Sequence, residues 1–124
     1  MDWIREIAVS KPLAELAIEF WKLLHNYDRF IDVVPDTAKP RLVAQARFGK
    51  TRLASILQLE DMRLAVYDGH LFEPNLPVVA LNDDEFSVSD MLVISQTIEP
   101  TVLQNMNVIS VGKVYLEKLA SPRG

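Results

Sequence analysis

From Leu13 to Tyr27 the chain is apolar at Leu13, Leu16, Ala17, Phe20, Leu24 and Tyr27, at offsets of 3, 4, 7, 11 and 14 residues from the first, which line up only along one face of an α-helix. Ser10-Lys11-Pro12 supplies a helix start, a capping hydroxyl followed by a proline in the first turn. Glu15, Glu19, Lys22 and Asn26 occupy the polar side, yet Ile18, Trp21 and Leu23 widen the apolar stripe beyond one packing surface. A helix of this kind contacts two neighbours, either two parts of its own domain or a second subunit. Asp2 to Val9 adds a short helical turn packing through Trp3, Ile4 and Ile7.

The prolines of "VVPDTAKP" (Val33 to Pro40) close the helical region, which spans residues 1–32. Beyond them an alternating period is expected. With Gly49-Lys50 at a two-residue hairpin tip, Phe48 pairs with Thr51, Ala46 with Leu53, Ala44 with Ser55 and Leu42 with Leu57, all on one mainly apolar face. "RLAVY-DG-HLF" reads as a second hairpin with Asp68-Gly69 at its tip, and "PVVAL" (Pro77 to Leu81) as a short edge strand. "FSVSDMLVISQTI" reads as one long strand, or a strand joined to a bend. Thr101 to Met106 follows Pro100 as a short helix, and Val108 to Leu119 is a strand or a helix. The expected architecture is α+β: an N-terminal amphipathic helix, then about six mainly antiparallel strands in a small, partly closed β-barrel or curled sheet. One domain covers residues 1–124, with a β-rich body at 40–119 and a frayed tail at 120–124.

Composition narrows the function. Hydrophobic content of 49% with a net charge of only −4 argues against disorder. Zero cysteines exclude disulfides, thiol catalysis and thiolate metal sites. The two histidines, His25 and His70, have no second histidine at metal-ligand spacing, and "NDDEF" lacks the alternating spacing of a calcium loop. His70, beside the Asp-Gly tip, reads as an exposed hairpin histidine. With no long apolar run and no secretory leader pattern, a soluble cytoplasmic protein is the expectation.

"AQARFGKT" (Ala44 to Thr51) fits a relaxed form of the phosphate-binding pattern G-x-x-x-x-G-K-S/T, with "LAVYD" ending in Asp68 as a possible Mg²⁺-side carboxylate. A phosphate cradle needs glycine where the chain turns left-handed, and a parallel sheet behind it; this segment offers neither. From Thr37 to Leu59 there are five basic residues and no acidic one. Arg41, Arg47 and Arg52 share the outer face of the expected hairpin, with Lys50 at its tip. These four are the candidate site for an anionic ligand or partner.

The reading that follows is a non-catalytic interaction or regulatory module. It has no cofactor and no metal, and its partner is another protein or a second copy. Nucleic acid is disfavoured by the acidic balance. The alternatives are a nucleotide-binding protein using Gly49, Lys50 and Thr51, or a structural subunit of a larger assembly.

Overall fold

A computed structural model describes residues 2–119, with side chains described from Ser10 onward. The tail expected at 120–124 and the packing expected of Trp3, Ile4 and Ile7 lie outside the described residues.

The first helix, α1, runs over Asp2–Ile31 and passes through Pro12 without ending. Ser10 is therefore not a cap, as the sequence suggested, but an interior residue. It is buried, and its hydroxyl accepts a hydrogen bond from Gln104 Nε2 at 3.1 Å. A tertiary contact has taken the place of the local one.

The largest correction concerns the next segment. No hairpin forms at Gly49-Lys50; Lys39–Gln58 is a second helix, α2, so β structure begins at Met62 and not near residue 40. Leu42, Ala46, Gly49, Leu53 and Leu57 recur at helical steps, and Ala46 and Leu57 are buried. Alanine, leucine, arginine and glutamine favour helix intrinsically, and Pro40 falls in the first turn, where it costs nothing. Gly49 serves close approach, not turning: a Cβ there would lie 3.1 Å from Leu24 Cδ2. Leu24 meets Gly49 and Tyr27 Oη donates to Gln45 Oε1 at 3.2 Å, so α2 runs back along α1 in the opposite direction.

Among the described residues six strands form: β1 (Met62–Ala65), β2 (Val78–Ala80), β3 (Leu92–Glu99), β4 (Thr101–Gln104), β5 (Asn107–Ser110) and β6 (Gly112–Lys118). They form two three-stranded sheets, β1-β4-β5 and β2-β6-β3, and no closed barrel is found among the described residues. Pairing is antiparallel except for β2 against β6. The Asp68-Gly69 turn closes, with His70 N–H donating to Tyr67 O at 3.0 Å, but its arms do not pair with each other. Met62 to Ala65 pairs with β4, while Leu71 bridges Val93 of β3. Residues 101–106 form no helix: β4 turns into β5 through Asn105 and Met106, both at positive φ, a two-residue hairpin. The segment from Val108 to Leu119 divides into the end of β5 and β6. The Pro77 to Leu81 segment supplies β2 at a sheet edge, as expected.

Two cores result. Ala14, Ala17 and Ile18 of α1 and Leu57 of α2 pack on Met62 and Val102 of the first sheet. Ile94, Val114 and Leu116 of the second sheet are covered by Tyr67, Phe72, Leu76 and Phe86 from its connecting segments. The chain crosses between sheets three times, from β1 to β2 over residues 66–77, from β3 to β4 at Pro100 and from β5 to β6 at Val111. The crossings meet at Thr101, fully buried, whose Oγ1 donates to Pro77 O at 2.8 Å and accepts from Gly112 N–H at 3.2 Å. A Cβ at position 112 would lie 2.6 Å from Thr101 Oγ1 and 2.9 Å from Glu99 O. Gly112→Ala is therefore expected to destabilise by at least the ~1–3 kcal/mol of an overpacked core. Urea unfolding measures this, and a loss below about 0.5 kcal/mol, the ordinary surface value, would show the crossing to be loose.

Candidate functional site

The structure separates the four basic residues that sequence patterning placed together. All lie on α2, where a helical period replaces the two-faced hairpin. Arg41 and Arg52 are eleven residues apart, about three turns, and share one line of the helix. Arg47 projects well away from that line. Lys50 is neutralised internally, its Nζ 2.5 Å from Asp28 Oδ2 of α1. Arg47 and Arg52, which a hairpin would place on one outer face, point in different directions from the helix. Among the described residues none of the three arginines has an ion-pair partner.

The AQARFGKT segment also lies inside α2. Backbone N–H groups there are taken by carbonyls four residues earlier, so no cradle of free amides is presented to a phosphate. Asp68 accepts a hydrogen bond from the buried Thr97 hydroxyl, which gives that carboxylate a structural role. In "NDDEF" a single 3-10 turn spans Asp83–Glu85. Asn82 ahead of it imitates a strand: its Nδ2 donates to Leu116 O at 3.0 Å and its Oδ1 accepts from Leu116 N–H at 2.9 Å.

The feature that does emerge is apolar. On the side of the helix pair away from the sheets, α1 and α2 enclose an open groove of about 540 Å³. Leu16, Phe20 and Leu23 form one wall, and Phe48 and Ile56 the other, with Arg52 at the rim. Leu16, Leu23 and Phe48 remain 67%, 65% and 70% exposed, far from the burial such side chains ordinarily reach. On α1 the apolar positions Leu13, Leu16, Phe20, Leu23, Tyr27 and Phe30 alternate in steps of three and four, the seam of a helix that packs against other helices. The surplus apolar width of α1 was legible in the sequence. Phe48 was not: alternation aimed it inward, whereas its spacing of four from Arg52 and eight from Ile56 puts it on the groove side of a helix.

A second recess, about 470 Å³, lies where the helix pair meets β1. Trp21 and His25 stack along it, ring centroids 4.9 Å apart, and the Lys50–Asp28 pair forms part of its wall. Lys50 is already matched there by Asp28, while Arg63, also in the lining, has no ion-pair partner among the described residues.

Ionic contacts hold the helix pair in position. Lys22 Nζ of α1 lies 3.1 Å from Glu99 Oε2 of β3, and Lys113 Nζ of β6 is 3.5 Å from Glu99 Oε1. Partial burial pushes the Glu99 carboxyl up, but the Lys22 hydrogen bond and the two lysine charges outweigh it, leaving it below the ordinary glutamate value. Lys22 is raised, chiefly by its hydrogen bond to Glu99. A lowered Glu99 stabilises the fold above the ordinary glutamate range, and that contribution disappears as pH falls through the folded-state value. Lys22 belongs to the same pair, so its contribution is present only while Glu99 is ionised, and at the basic end it is lost as pH rises through the folded-state value of Lys22.

No family model, curated protein or solved structure matched the chain.

Glu99→Gln should therefore lower the thermal midpoint at neutral pH, with the gap from wild type closing as pH drops below the glutamate range. Thermal scans at stepped pH check this; a gap independent of pH would remove the ionic role of Glu99.

Proposed function

We propose that the chain is a small non-catalytic interaction module that takes a protein partner on the α1–α2 face. The observation that carries the reading is the groove itself: Leu16, Leu23 and Phe48 lie together, about two-thirds exposed, between two helices already anchored on their other side. Contiguous apolar patches with polar rims mark interaction surfaces. Aromatic residues and arginine, here Phe20, Phe48 and Arg52, are the types enriched where partners bury surface. The groove between two helices suits an amphipathic helix, which would lay apolar positions at steps of three and four into it.

The basic residues contribute to this face unequally. Arg52 borders it and favours an acidic group on the partner, whereas Lys50 is engaged by Asp28. No helix among the described residues is long and apolar enough to cross a membrane.

Size-exclusion of cell extract tests the reading. Wild type should elute as part of a complex, and Leu16→Lys/Phe48→Lys should elute alone while keeping its circular dichroism, since both side chains point outward. Arg47→Ala, off the groove, should elute as wild type. Wild type eluting alone, or a complex that survives Leu16→Lys/Phe48→Lys, would refute it.

A further inference from the structure

Resting on that reading, we infer that the groove is filled by a second copy of this chain, docked about a two-fold axis parallel to the helices, so that α1 of each copy lies over α2 of the other. The charges on the face select this occupant. The side of α1 away from α2 carries Glu15 and Glu19, both exposed. The outward line of α2 carries Arg41 and Arg52, and α2 has no acidic residue. Within one chain these strips do not meet: among the described residues the only ion pair of Glu19 is the exposed contact with Lys22 at 3.5 Å, and Arg41 and Arg52 have none. Each copy therefore presents two exposed glutamates beside an unmatched Arg52, while Arg41, level with Ile31, lies beyond their reach. Such a surface is complementary to itself, the property that an isologous dimer requires.

The relative heights of the residues agree. Tyr27 is level with Gln45 and Leu24 with Gly49, so each turn down α1 is a turn up α2. That places Leu23 level with Phe48, Phe20 with Arg52 and Leu16 with Ile56. An axis parallel to the helices preserves height. Leu23 of one copy then packs on Phe48 of the other, Leu16 on Ile56, and Arg52 meets the ring of Phe20 with Glu19 beside it. The contact joins four helices with α1 antiparallel to the α2 it covers. The seam from Leu13 to Phe30 extends about 25 Å at ~1.5 Å per residue, enough for several layers of side chains. The other two-fold docking, α1 on α1 and α2 on α2, would face the arginine line of one copy with that of the other.

Sedimentation velocity of the purified full-length chain, from micromolar to millimolar, tests the inference. Wild type should reach twice the 14.1 kDa chain mass. Leu23→Glu should stay monomeric with an unchanged circular dichroism spectrum. Glu19→Lys and Arg52→Glu should each weaken the dimer by roughly tenfold, as the loss of a close interfacial charge pair does, and the combined reversal should recover most of that loss. A purified chain that is monomeric throughout would overturn the inference. So would a dimer indifferent to Leu23→Glu, or charge reversals that never compensate. If the purified monomer still enters a groove-dependent complex in extract, self-association falls and the broader interaction reading stands; if that complex is absent as well, both fall.

Discussion

Thr101 is the point on which the two halves of this fold depend. Its hydroxyl bonds to Pro77 O beside β2 and to Gly112 N–H at the start of β6, while its own strand has just left β3 through Pro100. Because it is wholly buried, a failure to satisfy that hydroxyl would cost about 1–3 kcal/mol with no water to compensate. The bonds require Gly112 to press against Thr101, and only a residue without a side chain fits there. The crossing fixes the first sheet relative to the second, and with it the surface on which the helices rest.

From that crossing the position of the helix pair follows. Ala14, Ala17 and Ile18 meet Met62 and Val102 through small and medium side chains, which lets α1 lie close to the sheet. Lys22 reaches Glu99, one residue before Pro100, so α1 is tied to the crossing itself. Gly49 then brings α2 against α1. Each contact turns one side of α1 inward and leaves the line from Leu16 through Leu23 to Phe30 facing away from the sheet. The apolar face is thus a consequence of how the helices are anchored, and burying it would yield further hydrophobic stabilisation only by association.

How far the sequence disclosed this differs by segment. α1 was legible because its apolar and charged residues separate cleanly at helical period; only its start was misplaced, since Pro12 after Ser10 imitates a capped first turn. α2 was not, because Leu42 to Leu57 satisfies two periods at once and Gly49-Lys50 resembles a turn. What decides between them is non-local: Gly49 is there to admit Leu24, which local pattern does not reveal. In the same way Pro100 imitates the first residue of a helix, whereas its place is the passage from β3 to β4. The short edge strand at Val78 to Ala80 was readable from its prolines. Of the proposed site, the half on α1 was announced by surplus apolar width. The half on α2 was hidden by the same ambiguity that hid the helix, and with it the outward placing of Phe48 and the division of Arg41, Arg47, Lys50 and Arg52 among different directions.

In the proposed dimer Leu16, Leu23, Phe48 and Ile56 lose their exposure to a second copy of the chain. Isotope-filtered NMR on an equal mixture of ¹³C-labelled and unlabelled protein tests it most directly, because only contacts between chains survive the filter. Cross-peaks are expected between Leu23 methyls and the Phe48 ring, and between Leu16 and Ile56, with none from Ile94 or Val114 in the second core. Inter-chain signals confined to the strands, or absent at concentrations where the methyl groups are fully resolved, would contradict it.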